Sequence, residues 1–144
     1  MFNILQLIME QSSKQQRWKK RLGVVNAIYN DFLLEHADIN DLVKTCFEQN
    51  NFDHFQIEII EAYVSNQTKF DELIIANLKP TWPYKRINPL TKAIIHSALA
   101  EATLKKVDKK VIIDQALKTC DHRGVVRDKK WINWILDKLI DYGK

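Results

Sequence analysis

The sequence predicts an all-α fold, and three observations carry that reading. Apolar residues recur at three- and four-residue spacings almost throughout, with no run of strand alternation to interrupt them. Only three Gly and three Pro stand among 144 residues, too few to punctuate a turn-rich sheet protein. Charged residues make up 28% and hydrophobic residues 46%, the balance of an ordinary globular chain rather than a disordered one. A chain of this length fits one domain around a single core.

The elements follow in order. MFNILQLIMEQ opens the chain as a short amphipathic segment, residues 1–13 forming an extension that covers a neighbouring surface or mediates self-association. It is too short to cross a bilayer and carries neither a basic leader nor a small-residue cleavage site. Ser12 or Ser13 caps the first long helix, whose apolar stripe is Trp18, Leu22, Val25, Tyr29 and Phe32. Lys14, Arg17, Lys20 and Arg21 lie along one flank of it. A second helix begins near Asp38, turns Leu42 and Cys46 inward with Val43 and Phe47 as further inward candidates, and closes at Asn50-Asn51. A third begins at Asp53 and carries Phe55, Ile59, Ala62 and Tyr63; a shorter fourth, antiparallel to it, carries Phe70, Leu73, Ile74 and Leu78.

Pro80 and Pro83 then break the pattern, and Trp82 between them is expected to pin the turn to the core. This connector divides two helical halves. Asn88-Pro89 is a strong helix start, since Asn caps and Pro needs no donor in the first turn. Leu90, Ile94, Ile95, Ala98 and Leu99 form the inner face of that helix. Asp108 opens the next, with Val111, Ile112, Ala116 and Leu117, and Asp128 the last, with Trp131, Ile135 and Leu139. The count is about seven helices.

Charge is segregated along the chain. Residues 1–21 hold five Lys or Arg against one acid, residues 22–104 six against eleven, and residues 105–144 eleven against six, so segments of +4, −5 and +5 hide behind a net +4. If the basic ends meet in the fold they make one positive surface, the usual footprint of a nucleic-acid binder. The acidic middle suits a basic protein partner, with Asp71, Glu72 and Glu101 as candidates. Two basic clusters each include a tryptophan: Arg17, Trp18, Lys19, Lys20 and Arg21, and Arg127, Lys129, Lys130 and Trp131. Lys and Arg hold phosphates while aromatic rings stack on unpaired bases. Trp18 is expected in the core; Trp131 serves either core or ligand, since Trp134 can take the buried role.

Catalytic and metal chemistry find little support. His36, His54, His96 and His122 are scattered, and Cys120 with His122 supplies two ligands where a structural zinc takes four. Gly23, Gly124 and Gly143 are isolated, so no glycine-rich phosphate loop exists. Asp71 and Glu72 are adjacent on a helix and point to different azimuths. No cofactor, metal, membrane or small-molecule substrate is expected. Two cysteines in apolar helical settings, rather than a disulfide framework, suit a reduced cytoplasmic protein.

The order of these segments resembles the NusB family of transcription antitermination factors. The likeness is carried by RWKKRLGVVNAIY at residues 17–29, FDELI at 70–74, W-x-x-x-R-I at 82–87, KAIIHSALAE at 92–101, VIIDQALK at 111–118 and KWINWILDK at 130–138. It implies an all-helical, NusB-like domain over residues 14–144 that binds boxA-type single-stranded RNA in ribosomal RNA transcripts. It also implies a protein partner, the small-subunit ribosomal protein NusE, and membership of an RNA polymerase antitermination complex. The family's arginine-rich motif falls on Arg17, Lys19 and Arg21, with Lys20 added, and its lysine-aromatic pair and the asparagine after it on Lys130, Trp131 and Asn133, next to Lys129. Trp134 stands where the family usually has a small residue, and residues 127–130 read RDKK where relatives are often acidic or polar. Three other readings remain open: a domain like the RNA-binding domains of ribosomal RNA methyltransferases, which needs a catalytic domain downstream, a helical adaptor that binds only protein, and an enzyme of unknown type, which an acid or histidine pocket would revive.

Overall fold

The structure, a computed structural model, describes residues 3–141. Among them are six α-helices and no strand: α1 (Ile4–Leu33), α2 (Leu42–Glu48), α3 (His54–Ala76), α4 (Pro89–Thr103), α5 (Lys109–Arg123) and α6 (Lys129–Leu139). The connector between α3 and α4 leaves three helices on each side, and both halves contribute to one core.

α4 is the axis of that core. Every residue from Leu90 to Ala102 except Lys92 is buried, as expected of a helix apolar on nearly all sides. Arg21 of α1 meets Glu101 and Phe32 meets His96, so α1 runs antiparallel to α4. Three buried polar residues of α4 each find a partner on a different element: Thr91 donates to Asp128 (2.7 Å), His96 bonds Asp71 (3.0 Å), and Glu101 accepts from Arg21. Buried polar groups are costly unless paired, so these three contacts fix where the surrounding elements sit.

Local signals set most helix ends. Asp53 accepts from the Gln56 amide while Gln56 reaches back to the Asp53 amide, closing a capping box at α3. Asn88 accepts from the Leu90 amide ahead of Pro89. Gly124 ends α5 at φ 75°, a left-handed cap that costs glycine little, and Asn51 at φ 53° follows α2 in the same region.

The structure corrects five expectations. α1 begins at Ile4, capped by Asn3 and Gln6, and passes through Ser12 and Ser13, so the N-terminal segment is part of the helix. Ile4 there is 76% exposed. The buried face of α1 is turned towards Arg21, Val24, Val25 and Ile28, leaving Trp18, Leu22, Tyr29 and Phe32 half-buried beside it. Phe47 of α2 is 66% exposed rather than turned inward. α3 is one helix where two were expected. In its polar middle Asn66 bonds back to the Ala62 carbonyl and Gln67 turns to His36 and Asp71. Finally, Trp82 does not pin the connector, being 51% exposed; Tyr84 does, its hydroxyl donating to Asp71 (2.6 Å) and lying 3.0 Å from His96 Nε2.

Candidate nucleic-acid interface

The basic cluster of α1 divides between different sides of the helix, because consecutive helical residues face different azimuths. Arg17 lies over the Phe55 ring, 4.3 Å from its centroid, on the α3 side. Lys20 pairs with Asp53 (2.7 Å) on the same side. Burial pushes the Asp53 carboxyl up, but the Lys20 ammonium and the Gln56 amide outweigh it and hold the group below its usual range. Lys19 is exposed and makes no ion pair among the described residues.

Arg21 and Glu101 depart furthest from expectation. One was read on a solvated basic flank and the other on an acidic partner face, yet they meet in the interior with 8% and 4% exposure. Arg21 donates through Nε (2.8 Å) and Nη2 (2.7 Å) to the two carboxylate oxygens, a planar fork that matches the guanidinium. The rotation of the buried face of α1 is the cause.

On the other flank of α1, Trp18 is half-buried against the end of α5. His122 meets it edge-on at 5.0 Å and the Lys118 ammonium lies 4.1 Å from its ring centroid. Arg123 donates to Asn26 and lies 5.9 Å from the Tyr29 ring. Lys129, at the start of α6, pairs with Asp121 on α5 (2.9 Å). The last turns of α5 therefore join the two basic clusters, one from each end of the sequence. Lys118, His122 and Arg123 were not among the candidates; their i, i+4 spacing and their place in the basic last turns of a helix were the available signal.

Lys130 is exposed beyond Lys129, and Trp131 is half-buried against the core. Trp134 does not take the buried role: it is 49% exposed, with Lys138 over its ring at 5.1 Å. Trp131 also lines an open groove of about 800 Å³ with Thr81, Trp82, Arg86, Arg127 and Asp128.

The acidic candidates separate as well. Glu72 is exposed, whereas Asp71 faces inward, bonded by Gln67, Tyr84 and His96. Burial pushes Asp71 up, but the bonds from His96 and Tyr84 prevail and hold it low. His96 is fully buried among Phe32, Tyr63 and Phe70, and desolvation holds its pKa below the ordinary value despite Asp71. Its Nδ1 has no hydrogen-bond partner, which suits a neutral ring carrying its proton on Nε2. Asp31, His36 and Tyr63 extend this polar network, with His36 Nδ1 at 2.5 Å and the Tyr63 hydroxyl at 2.6 Å from the Asp31 carboxylate.

No group of three or more metal-ligating side chains occurs among the described residues. Burial pushes the thiols of Cys46 and Cys120 up to about 11, which leaves them protonated and poor nucleophiles at neutral pH. Among the described residues, no helix is long and apolar enough to cross a membrane.

An all-helical core with a basic, aromatic-bearing face at the junction of α1, α5 and α6 defines the class: a helical protein with one positively charged face. The chain belongs to the NusB family, whose model matches residues 26–141. The transcription antitermination protein NusB of Shewanella baltica (strain OS155 / ATCC BAA-1091) is 31% identical over 130 residues, covering 87% of this chain and 95% of the relative. That of Sulfurimonas denitrificans is 27% identical over 128 residues, covering 85% and 95%. A solved structure of a conserved hypothetical protein from Mycoplasma genitalium, described as structurally homologous to NusB proteins, shares the fold. Its TM-score is 0.63 at 24% identity, over 79% of this chain and 91% of that one.

Proposed function

We propose that this member of the NusB family acts by binding, as an RNA-binding transcription antitermination factor. It takes boxA-type single-stranded RNA from ribosomal RNA transcripts together with NusE, within an RNA polymerase antitermination complex. The observation that supports this most is the junction at the end of α5, where cations from both ends of the chain surround partly exposed aromatic rings. Such a surface holds phosphates through Lys and Arg while rings stack on unpaired bases.

Lys19, Lys129 and Lys130 contact phosphates in this reading, with Arg17 and Lys20 at the margin, and Trp131 reads a base. Arg21 supports the RNA face from beneath, holding α1 against α4 through Glu101. Glu72 is the exposed acid left for a basic partner protein.

The test is fluorescence-anisotropy titration of a short boxA-like RNA and a scrambled control, across salt, with and without NusE. Binding that favours the boxA-like strand, tightens with partner and weakens steeply with salt is the expected result. Each neutralised phosphate steepens the slope of log K against log salt by about 0.7 for a single strand. If folded protein binds neither RNA at low salt, with or without partner, the RNA reading is wrong and a protein-only adaptor takes its place.

A further inference from the structure

We propose that the groove between the connector and the start of α6 is a subsite for one unpaired nucleotide whose base carries an exocyclic amine. Trp82 stacks the base, Asp128 reads the amine, and Arg86 and Arg127 hold the flanking phosphates. The proposal rests on the RNA-binding reading above and adds to it a place and a base preference.

Trp82 is the first reason. It does not fasten the connector, which Tyr84 does. Yet a large ring is left half in water within a turn stiffened by Pro80 and Pro83. The Trp82 amide donates to the Lys79 carbonyl (2.8 Å), and the Lys79 ammonium lies 5.8 Å from the ring centroid. The turn fixes the backbone that carries the ring, so stacking has only the side chain left to order, and preorganised sites gain affinity this way. Trp131 lines the same groove, so two indoles border it.

Asp128 is the second reason. It precedes α6 without capping it. Its Oδ2 instead accepts from the hydroxyl of Thr91, a fully buried residue (2.7 Å), which holds the carboxylate in one orientation at the groove. Oδ1 has no protein hydrogen bond among the described residues. A carboxylate only accepts, so it favours the amine of cytosine, adenine or guanine over uracil, which presents carbonyl oxygens there.

The third reason is charge and size. Arg86 and Arg127 are exposed on the lining and make no ion pair among the described residues. They complement an anionic chain entering and leaving the groove. A volume of about 800 Å³ lies within the range of small-ligand sites, roughly 300–1,000 Å³, and admits a nucleotide.

The experiment is anisotropy binding of a short oligouridine, and of the same strand carrying one central cytosine or adenine, to the full chain and to Trp82→Ala, Trp82→Phe and Asp128→Asn. Circular dichroism checks that each variant is folded. Wild type is expected to favour the strands with an amine-bearing base. Trp82→Ala should weaken those strands by roughly 5- to 160-fold, the range for one base stack, and Trp82→Phe should restore part of the loss. Asp128→Asn, which can still accept from Thr91 while turning an amide donor to the groove, should erase the preference by strengthening oligouridine binding. Wild type that binds all three strands, with Trp82→Ala matching it, overturns the groove and leaves the RNA reading standing. Wild type that binds no RNA overturns both. Displacement of a Glu-rich peptide from the groove, with RNA binding indifferent to Trp82, would assign the groove to a protein ligand and also sink the proposal.

Discussion

The two flanks of α1 carry similar residues and put them to different uses. Towards α3 and α4, Arg17 lies on Phe55, Lys20 pairs with Asp53 and Arg21 forks onto Glu101, so each cation is spent within the molecule. Towards α5, Trp18 meets Lys118 and His122, while Lys19 on α1 and Lys130 on α6 remain exposed. A basic run in a helix is therefore a mixed population: neighbours from other elements decide which charges hold the fold and which face a ligand.

Breaking the buried side should have the largest effect. Arg21→Ala or Glu101→Ala leaves one charge unpaired in the interior, an expected loss of about 3–5 kcal/mol in urea unfolding. Arg21→Met with Glu101→Leu should cost less than either single change, because no orphaned charge remains. Singles that unfold like wild type would mean the pair is not what joins α1 to α4.

Acid should loosen the same interior. Desolvation holds buried His96 below its unfolded value of 6.5, so above pH 6.5 its contribution to stability is fully present. Below pH 6.5 the unfolded chain takes up a proton the folded ring resists, and stability falls by at most about 1.4 kcal/mol per pH unit for that proton. Asp71, held low, gives a second loss only as the pH drops below 3.8. The groups facing His96 are Asp71, Tyr84, Tyr63, His36 and Lys92, and a His96→Gln variant should lack the first decline. Chemical denaturation at a series of pH values reads this out; a wild-type profile level between pH 7 and 5 would contradict a buried neutral His96.

On the open side the effects move from stability to binding. Lys19→Ala and Lys130→Ala should leave unfolding unchanged and each flatten the RNA salt slope by about 0.7. An unchanged slope in both would remove these lysines from the RNA face. Lys20→Ala should do least: its ion pair with Asp53 is about two-fifths exposed on each side, and such pairs are worth about 0–1 kcal/mol. A larger destabilisation would show that capping of α3 depends on Lys20.

Much of this was legible in the chain because it is written locally. Hydrophobic spacing set the all-helical class, Asp53 and Asn88-Pro89 set two helix starts, and Asn51 lies where α2 ends. Caps and turns depend on side chains within a few residues of the backbone groups they satisfy. Both basic clusters were visible too, as was the buried setting of Cys46 and Cys120.

What the sequence could not settle depends on residues far apart along it. The partner of Arg21 lies 80 positions away, and that contact, with the rotation of α1 that creates it, separates a fold-holding arginine from a surface one. Gln67 in the middle of α3 meets His36, 31 positions away, and Tyr84 rather than Trp82 fastens the connector because His96 and Asp71 await it in the core. The periodicity of a helix says that one face is buried; only packing says which, because burial is a property of all the neighbours together.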